Sequence, residues 1–143
     1  MDLHLREKVV VITGGGTGIG KATARAFAKE GAKVVICGRR LTALEQTRTE
    51  FFAEGLEIAV RQLDVCDTAA MQALAEQVAA EFGGIDVWVN SAGVAISKPV
   101  MEFTDEDYER ILNTNQRAVF QACRVAGRIM MDQGRGGVII NAS

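Results

Sequence analysis

Five glycines between Gly14 and Gly20 follow an apolar run and precede a helix-forming one. Glycine lets the backbone turn tightly and come close to a ligand. The unpaired N–H groups at a helix start point at an anion. The stretch KVVVITGGGTGIG, Lys8 to Gly20, is therefore a candidate phosphate cradle. Spacing separates three nucleotide patterns here. A phosphate loop of the type G-x-x-x-x-G-K-[ST] fits Gly15, Gly20 and Lys21, but Ala22 stands where a magnesium ligand needs a hydroxyl. The fingerprint G-x-G-x-x-G fits Gly14 and Gly16, but Ile19 stands at the third glycine. The spacing present is Thr13-Gly14-x-x-x-Gly18-x-Gly20.

The same chemistry predicts further contacts. In a parallel α/β sheet the ligand lies across the C-terminal strand ends. The residues following each apolar run are then read together: the glycine loop, Gly38-Arg39-Arg40, Leu63-Asp64-Val65 and Asn90-Ser91-Ala92-Gly93. One extended dinucleotide could touch all four. A carboxylate at the second exit would accept from a ribose 2′-hydroxyl, but the chain offers Arg39 and Arg40, whose guanidinium forks suit a 2′-phosphate. Two cations at a helix start oppose its dipole unless an anion joins them. NADP is thus favoured over NAD. Asp64 could accept from an adenine amino group or simply cap a turn. Asn90 could bond between strand ends, and Ala92-Gly93 lets the backbone approach a ribose or nicotinamide. Asn115 falls on the apolar face of a long helix, where a buried amide needs partners. It is either a working side chain or a core asparagine satisfied by backbone.

Strand-like and helix-like segments that alternate imply βαβ units around a parallel sheet. Val9 to Ile12, Lys33 to Cys37, Ile85 to Val89 and Val138 to Asn141 read as strands; Val9 to Ile12 and Ile85 to Val89 are apolar enough for burial on both faces. Glu57 to Leu63 alternates and suits a sheet edge. Helices are predicted over Gly18 to Glu30 with Ile19, Ala22, Ala26 and Phe27 on one face, over Leu41 to Glu54, and from an Asp67 cap to Phe82. A capping box at Thr104 and Asp107 opens one long helix reaching Gln133, with Tyr108, Ile111, Leu112, Asn115, Val119, Ala122, Cys123 and Ala126 along a broad face. The expected fold is a doubly wound, Rossmann-type parallel sheet of five strands in the order 3-2-1-4-5. Residues 1–143 are expected to form one dinucleotide-binding domain.

Composition narrows the partners. A net charge of −2 with scattered Lys and Arg gives no footprint for nucleic acid. No apolar run approaches the ~18 residues that span a bilayer, and the N-terminus lacks a signal-peptide core. Cys37, Cys66 and Cys123 are too far apart in sequence for a metal motif, so buried, reduced thiols in the cytoplasm and no bound metal are expected. The lone His4 is expected at the surface.

Thr13-Gly14-x-x-x-Gly18-x-Gly20, Asp64-Val65, Asn90-Ser91-Ala92-Gly93, Asn115 and the final Ile139-Ile-Asn-Ala-Ser143 occur in the order and spacing of the short-chain dehydrogenase/reductase family, which the whole chain resembles. The resemblance is to its NADP-preferring branch. It implies an oxidoreductase that interconverts a carbonyl and an alcohol of a small molecule by hydride transfer, and a homo-oligomer at full length through the long helix. It implies cofactor contacts at Gly14, Gly16, Thr17, Gly18, Ile19, Gly20, Arg39, Arg40, Asp64, Val65, Asn90, Ala92 and Gly93. Asn115 matches the family's catalytic asparagine, which helps hold a proton-relay water. Ser143 or the residue after it matches the serine that orients the substrate carbonyl. The family's Tyr-x-x-x-Lys is absent: Tyr108, the only tyrosine, has Leu112 four residues on. The expectation is therefore the cofactor-binding half of such an enzyme, incomplete at its C-terminus; the alternative is a fragment that holds dinucleotide without catalysis. Two departures stand out. Ser91 replaces the usual second asparagine, and Thr17 replaces a basic residue common in NADP-preferring members, which leaves Arg39 as the main determinant. Val94, Met101 and Phe103 could touch substrate or simply pack their loop.

Overall fold

Strands that are apolar at successive positions need cover on both faces. The computed structural model, which describes residues 1–143, provides it. Strands β1 (Val9–Thr13), β2 (Lys33–Gly38), β3 (Ile58–Gln62), β4 (Val87–Asn90) and β5 (Val138–Asn141) form one sheet in the order β3-β2-β1-β4-β5. Every pairing is parallel. This is the expected doubly wound order, with β3 at an edge. Side chains alternate along each strand. Val10, Ile12, Val34 and Ile36 pack with Ala24, Ala28, Leu44 and Phe51 of helices α1 (Gly18–Lys29) and α2 (Leu41–Ala53). Val9, Val11, Val35 and Trp88 pack on the other face with Met71, Val78, Ala122 and Val125 of α3 (Thr68–Phe82) and α5 (Ala118–Asp132).

The helices depart from the expected pattern at two places. In α1 the buried residues are Gly20, Ala24 and Ala28, while Ile19 is 71% exposed and Ala22 and Ala26 lie outside. Small residues let α1 lie close to the sheet, and this close face is set one position away from the one predicted. The predicted long helix is broken in phase: α4 (Asp105–Leu112) passes through a π-helical turn, Asn113–Arg117, before α5. A π turn adds a residue to the helical circuit and rotates everything after it. The buried stripe of α5 is Ala118, Ala122, Val125, Ala126 and Met130, whereas Tyr108 and Asn115 are exposed. Both predicted caps are present. Asp67 accepts from the Ala70 N–H at 2.9 Å, and Thr104 and Asp107 form their reciprocal capping box.

At the sheet end opposite the glycine loop, Asp86 accepts from the Val9 N–H at 2.8 Å and from Arg135 Nε at 3.0 Å. It ties the starts of β1 and β4 to the segment that feeds β5. Burial alone would raise this carboxyl's pKa, but the Val9 N–H and the Arg135 guanidinium outweigh it and hold it below the ordinary carboxylate range. A depressed carboxyl contributes stability above its unfolded pKa and loses it as pH falls through the folded one. Asp86→Ala is expected to cost about 2 kcal/mol at pH 7, the scale of hydrogen bonds to a charged group. Urea midpoints of the two proteins should converge as the pH is taken below the ordinary carboxylate range; a gap that persists in acid would show that the loss is packing, not charge.

The cysteines are free but only Cys37 is buried, where burial pushes its thiol pKa up to about 12; Cys66 is exposed and Cys123 half-buried. His4 is exposed, as expected. No helix is long and apolar enough to cross a membrane, and no group of three His, Cys, Asp or Glu side chains is placed to hold a metal ion.

Candidate functional site

The exits of all five strands open into one cleft of about 980 Å³. The sequence explains why its floor is tight. Gly14 has φ +66°, and a Cβ there would come within 2.8 Å of the Ala92 backbone, so the loops after β1 and β4 touch directly. A Cβ on Gly20 would fall well inside contact distance of the Gly14 carbonyl oxygen, because the loop closes back onto the first turn of α1. Thr13 sits beneath both loops, 2% exposed. Its hydroxyl donates to the Val89 carbonyl at 3.4 Å and accepts from the N–H groups of Ser91 (3.2 Å) and Ala92 (3.3 Å). Thr47, equally buried on α2, donates to the Gly16 carbonyl at 3.1 Å and holds the loop from its other side. At the α1 start, Thr17 makes no side-chain cap, and the first turn has no acidic residue. Its N–H groups are left for a ligand.

Of the residues singled out from the sequence, Gly14, Gly16, Thr17, Gly18, Ile19, Arg39, Arg40, Asp64, Val65, Ala92, Gly93 and Ser143 line the cleft. Ile19 is an exposed apolar side chain on its wall. Arg39 and Arg40 form no ion pair, and the Gln62 side-chain amide holds the Arg39 carbonyl at 2.9 Å. The Asp64 carboxylate accepts from the Cys66 N–H at 2.9 Å, so it caps its own turn while lining the cleft.

Three singled-out residues are not among the lining. Gly20 is packed under Gly14. Asn90 is 4% exposed; it accepts from Trp88 Nε1 at 2.9 Å and donates to Asn141 Oδ1 at 2.8 Å. Asn115, expected on the buried face, is exposed on the π turn. Its amide accepts from the Val94 N–H and donates to the Val94 carbonyl, both at 2.8 Å, and so staples the loop after β4 to the helix. Val94 reaches the cleft; Met101 and Phe103 are not among its lining residues. Reading strand exits alone misses Arg110, Asn113, Thr114, Arg117 and Gln121, a polar stripe of the α4–α5 segment that forms the opposite wall. Their spacing of three and four was the available signal.

A family model described as short chain dehydrogenase matches residues 8–143. A 3alpha-hydroxysteroid dehydrogenase of Mediterraneibacter gnavus is 37% identical over all of this chain and 58% of its own length. Galactitol 2-dehydrogenase of Agrobacterium fabrum is 37% identical over 97% of this chain and 53% of its own. The chain thus spans about half the length of these curated relatives. The crystal structure of a short-chain type dehydrogenase/reductase from Mycobacterium marinum superposes with a TM-score of 0.91 at 36% identity, covering 96% of this chain and 56% of that one. One from Mycobacterium smegmatis gives 0.90 at 40% identity, covering 96% and 58%. A match that runs from the first strand through Ser143, on a sheet of the same order, means that this chain belongs to the short-chain dehydrogenase/reductase family.

Proposed function

We propose that residues 1–143 are the dinucleotide-binding part of an NADP-dependent oxidoreductase that interconverts a carbonyl and an alcohol on a small molecule. The observation that carries the reading is the pair of unpaired guanidiniums, Arg39 and Arg40, beside the glycine loop in one continuous cleft. Bound NADPH would supply the hydride. The chain's own residues bind and orient it. The free N–H groups at the α1 start receive the pyrophosphate, and Arg39, with Arg40, receives the 2′-phosphate. Leu63, Asp64 and Val65, which line the cleft, would flank the adenine. Ala92 and Gly93 admit the nicotinamide ribose, and Ser143 stands beside the far end, where a carbonyl would be oriented. Asn115 holds Val94 in place through both ends of its amide, and one acceptor site and one N–H of that amide are left for a proton-relay water.

The relatives act on a steroid and on a sugar alcohol by name, so the reading stops at the substrate class. It includes a cytoplasmic location, which three unpaired thiols suit. It also includes self-association through α4 and α5, which expose Tyr108, Phe120 and Met131.

Calorimetric titration with NADPH and NADH tests the cofactor assignment. Wild type should bind NADPH more tightly than NADH. Arg39→Ala should weaken NADPH about 10- to 100-fold, the equivalent of one charge-assisted contact, and leave NADH within about twofold. Preference for NADH, or an unchanged NADPH affinity in the variant, would overturn it.

A further inference from the structure

The strand ends beyond the glycine loop are held by a side-chain relay with one fixed direction. An asparagine amide can flip, exchanging its oxygen and nitrogen, unless a neighbour is donor-only or acceptor-only. Indole N–H is donor-only. Trp88 is fully buried and donates Nε1–H to Asn90 Oδ1 at 2.9 Å. That contact forces the Asn90 nitrogen towards β5, where it donates to Asn141 Oδ1 at 2.8 Å. Cys123 Sγ lies 3.9 Å from both Asn90 Nδ2 and Asn141 Oδ1 and adds only weak polar contact. Main chain completes the tie: the Ala142 N–H donates to the Asn90 carbonyl at 3.0 Å. Residues just past the two tied ends, Ser91 to Gly93 and Ala142 to Ser143, line the cleft.

We infer that Trp88 is a positioning residue for the nicotinamide end of the cleft, acting through Asn90 and Asn141 without touching the ligand. The inference rests on the proposed NADP reading. In the order β3-β2-β1-β4-β5, a dinucleotide with its 2′-phosphate at the β2 exit and its pyrophosphate at the β1 loop carries its nicotinamide over β4 and β5. Trp88 therefore bears on one half of the ligand only. The Arg39 and glycine-loop contacts lie on β2 and β1 and are held by Gln62, by Thr47 and by the Gly15 N–H on the Cys37 carbonyl.

The test compares NADPH with 2′-phospho-ADP-ribose, which keeps the adenine half and lacks nicotinamide. Trp88→Phe retains a ring and removes the donor, freeing the Asn90 amide to flip. By calorimetry it should weaken NADPH about three- to tenfold and leave 2′-phospho-ADP-ribose within about twofold. Asn141→Ala, at the exposed end of the relay, should give the same split and decides the matter should Trp88→Phe fail to fold. Equal weakening of both ligands in a folded variant, or no weakening of either, overturns the positioning role. Wild type that binds neither ligand overturns the NADP reading beneath it. Loss of NADPH binding in Arg39→Ala with the split intact in Trp88→Phe supports both.

Discussion

Gly20→Ala is expected to reduce NADPH binding at least about 100-fold and to destabilise the chain by about 1–3 kcal/mol. The cause is one methyl group. A Cβ at this position would overlap the Gly14 carbonyl oxygen, with the Gly14 carbonyl carbon at 2.8 Å and Gly15 Cα at 3.2 Å behind it. All three are backbone, so no side chain can rotate away. Overpacking that forces backbone to move costs on this scale. The loop cannot simply lift, because Gly14 is wedged against Ala92 and the Gly16 carbonyl is held by Thr47. Movement of the loop displaces the N–H groups proposed to receive the pyrophosphate, and losing about 3 kcal/mol of contacts corresponds to roughly 100-fold in affinity. Gly18→Ala is the control: a Cβ there meets nothing within 4 Å, although its φ of +53° adds backbone strain. It should cost less affinity than Gly20→Ala. Thermal melts and NADPH titration of both variants check the order. Equal losses would mean that flexibility, and not close approach, is what the loop requires.

The contrast between these glycines marks where sequence reasoning works. Apolar runs such as Val9 to Ile12 announce buried strands because burial on both faces leaves no other composition. Glycines at fixed spacing announce the loop because only they fit it. Sheet order followed from the phosphate loop after β1 and from right-handed crossovers. Phase within a helix is less legible. Counting 3.6 residues per turn from Ile111 puts Asn115 on the buried face, and the π turn at Asn113–Arg117 breaks that count. No residue in Asn-Thr-Asn-Gln-Arg announces such a turn, and the Val94 backbone to which it presents Asn115 is distant in sequence. In α1, alanines at 22, 24, 26 and 28 permit more than one apolar face, and only the sheet selects Ala24 and Ala28. The opposite wall of the cleft was missed for a related reason: Arg110, Thr114 and Arg117 look like any solvated helix face until the fold brings them over the strand ends.

Thr13 heads the loop motif, and its hydroxyl, which joins β1 to the β4 exit, carries the second large expected effect. Thr13→Val preserves shape and deletes one oxygen. That oxygen accepts from two backbone N–H groups, Ser91 and Ala92, and the wild-type hydroxyl donates to the Val89 carbonyl. The valine leaves both N–H groups facing a methyl group, each costing about 1–3 kcal/mol if water cannot reach it. The expected loss is about 2–4 kcal/mol, a large fraction of what holds a domain of this size together. Function should fall with it, but unevenly. Ser91 and Ala92 carry the β4 exit over the cleft, while the glycine loop keeps its own ties through Thr47 and the Gly15 N–H to the Cys37 carbonyl. Folded Thr13→Val should therefore lose nicotinamide-dependent affinity while 2′-phospho-ADP-ribose binding stays closer to wild type. Thr13→Ser, which restores the acceptor at the expense of a methyl group, should recover most of the affinity and much of the urea midpoint. If serine rescues neither, the methyl packing and not the hydroxyl is what joins β1 to β4. If it rescues stability alone, the Ser91–Ala92 tie serves the fold and leaves the ligand indifferent.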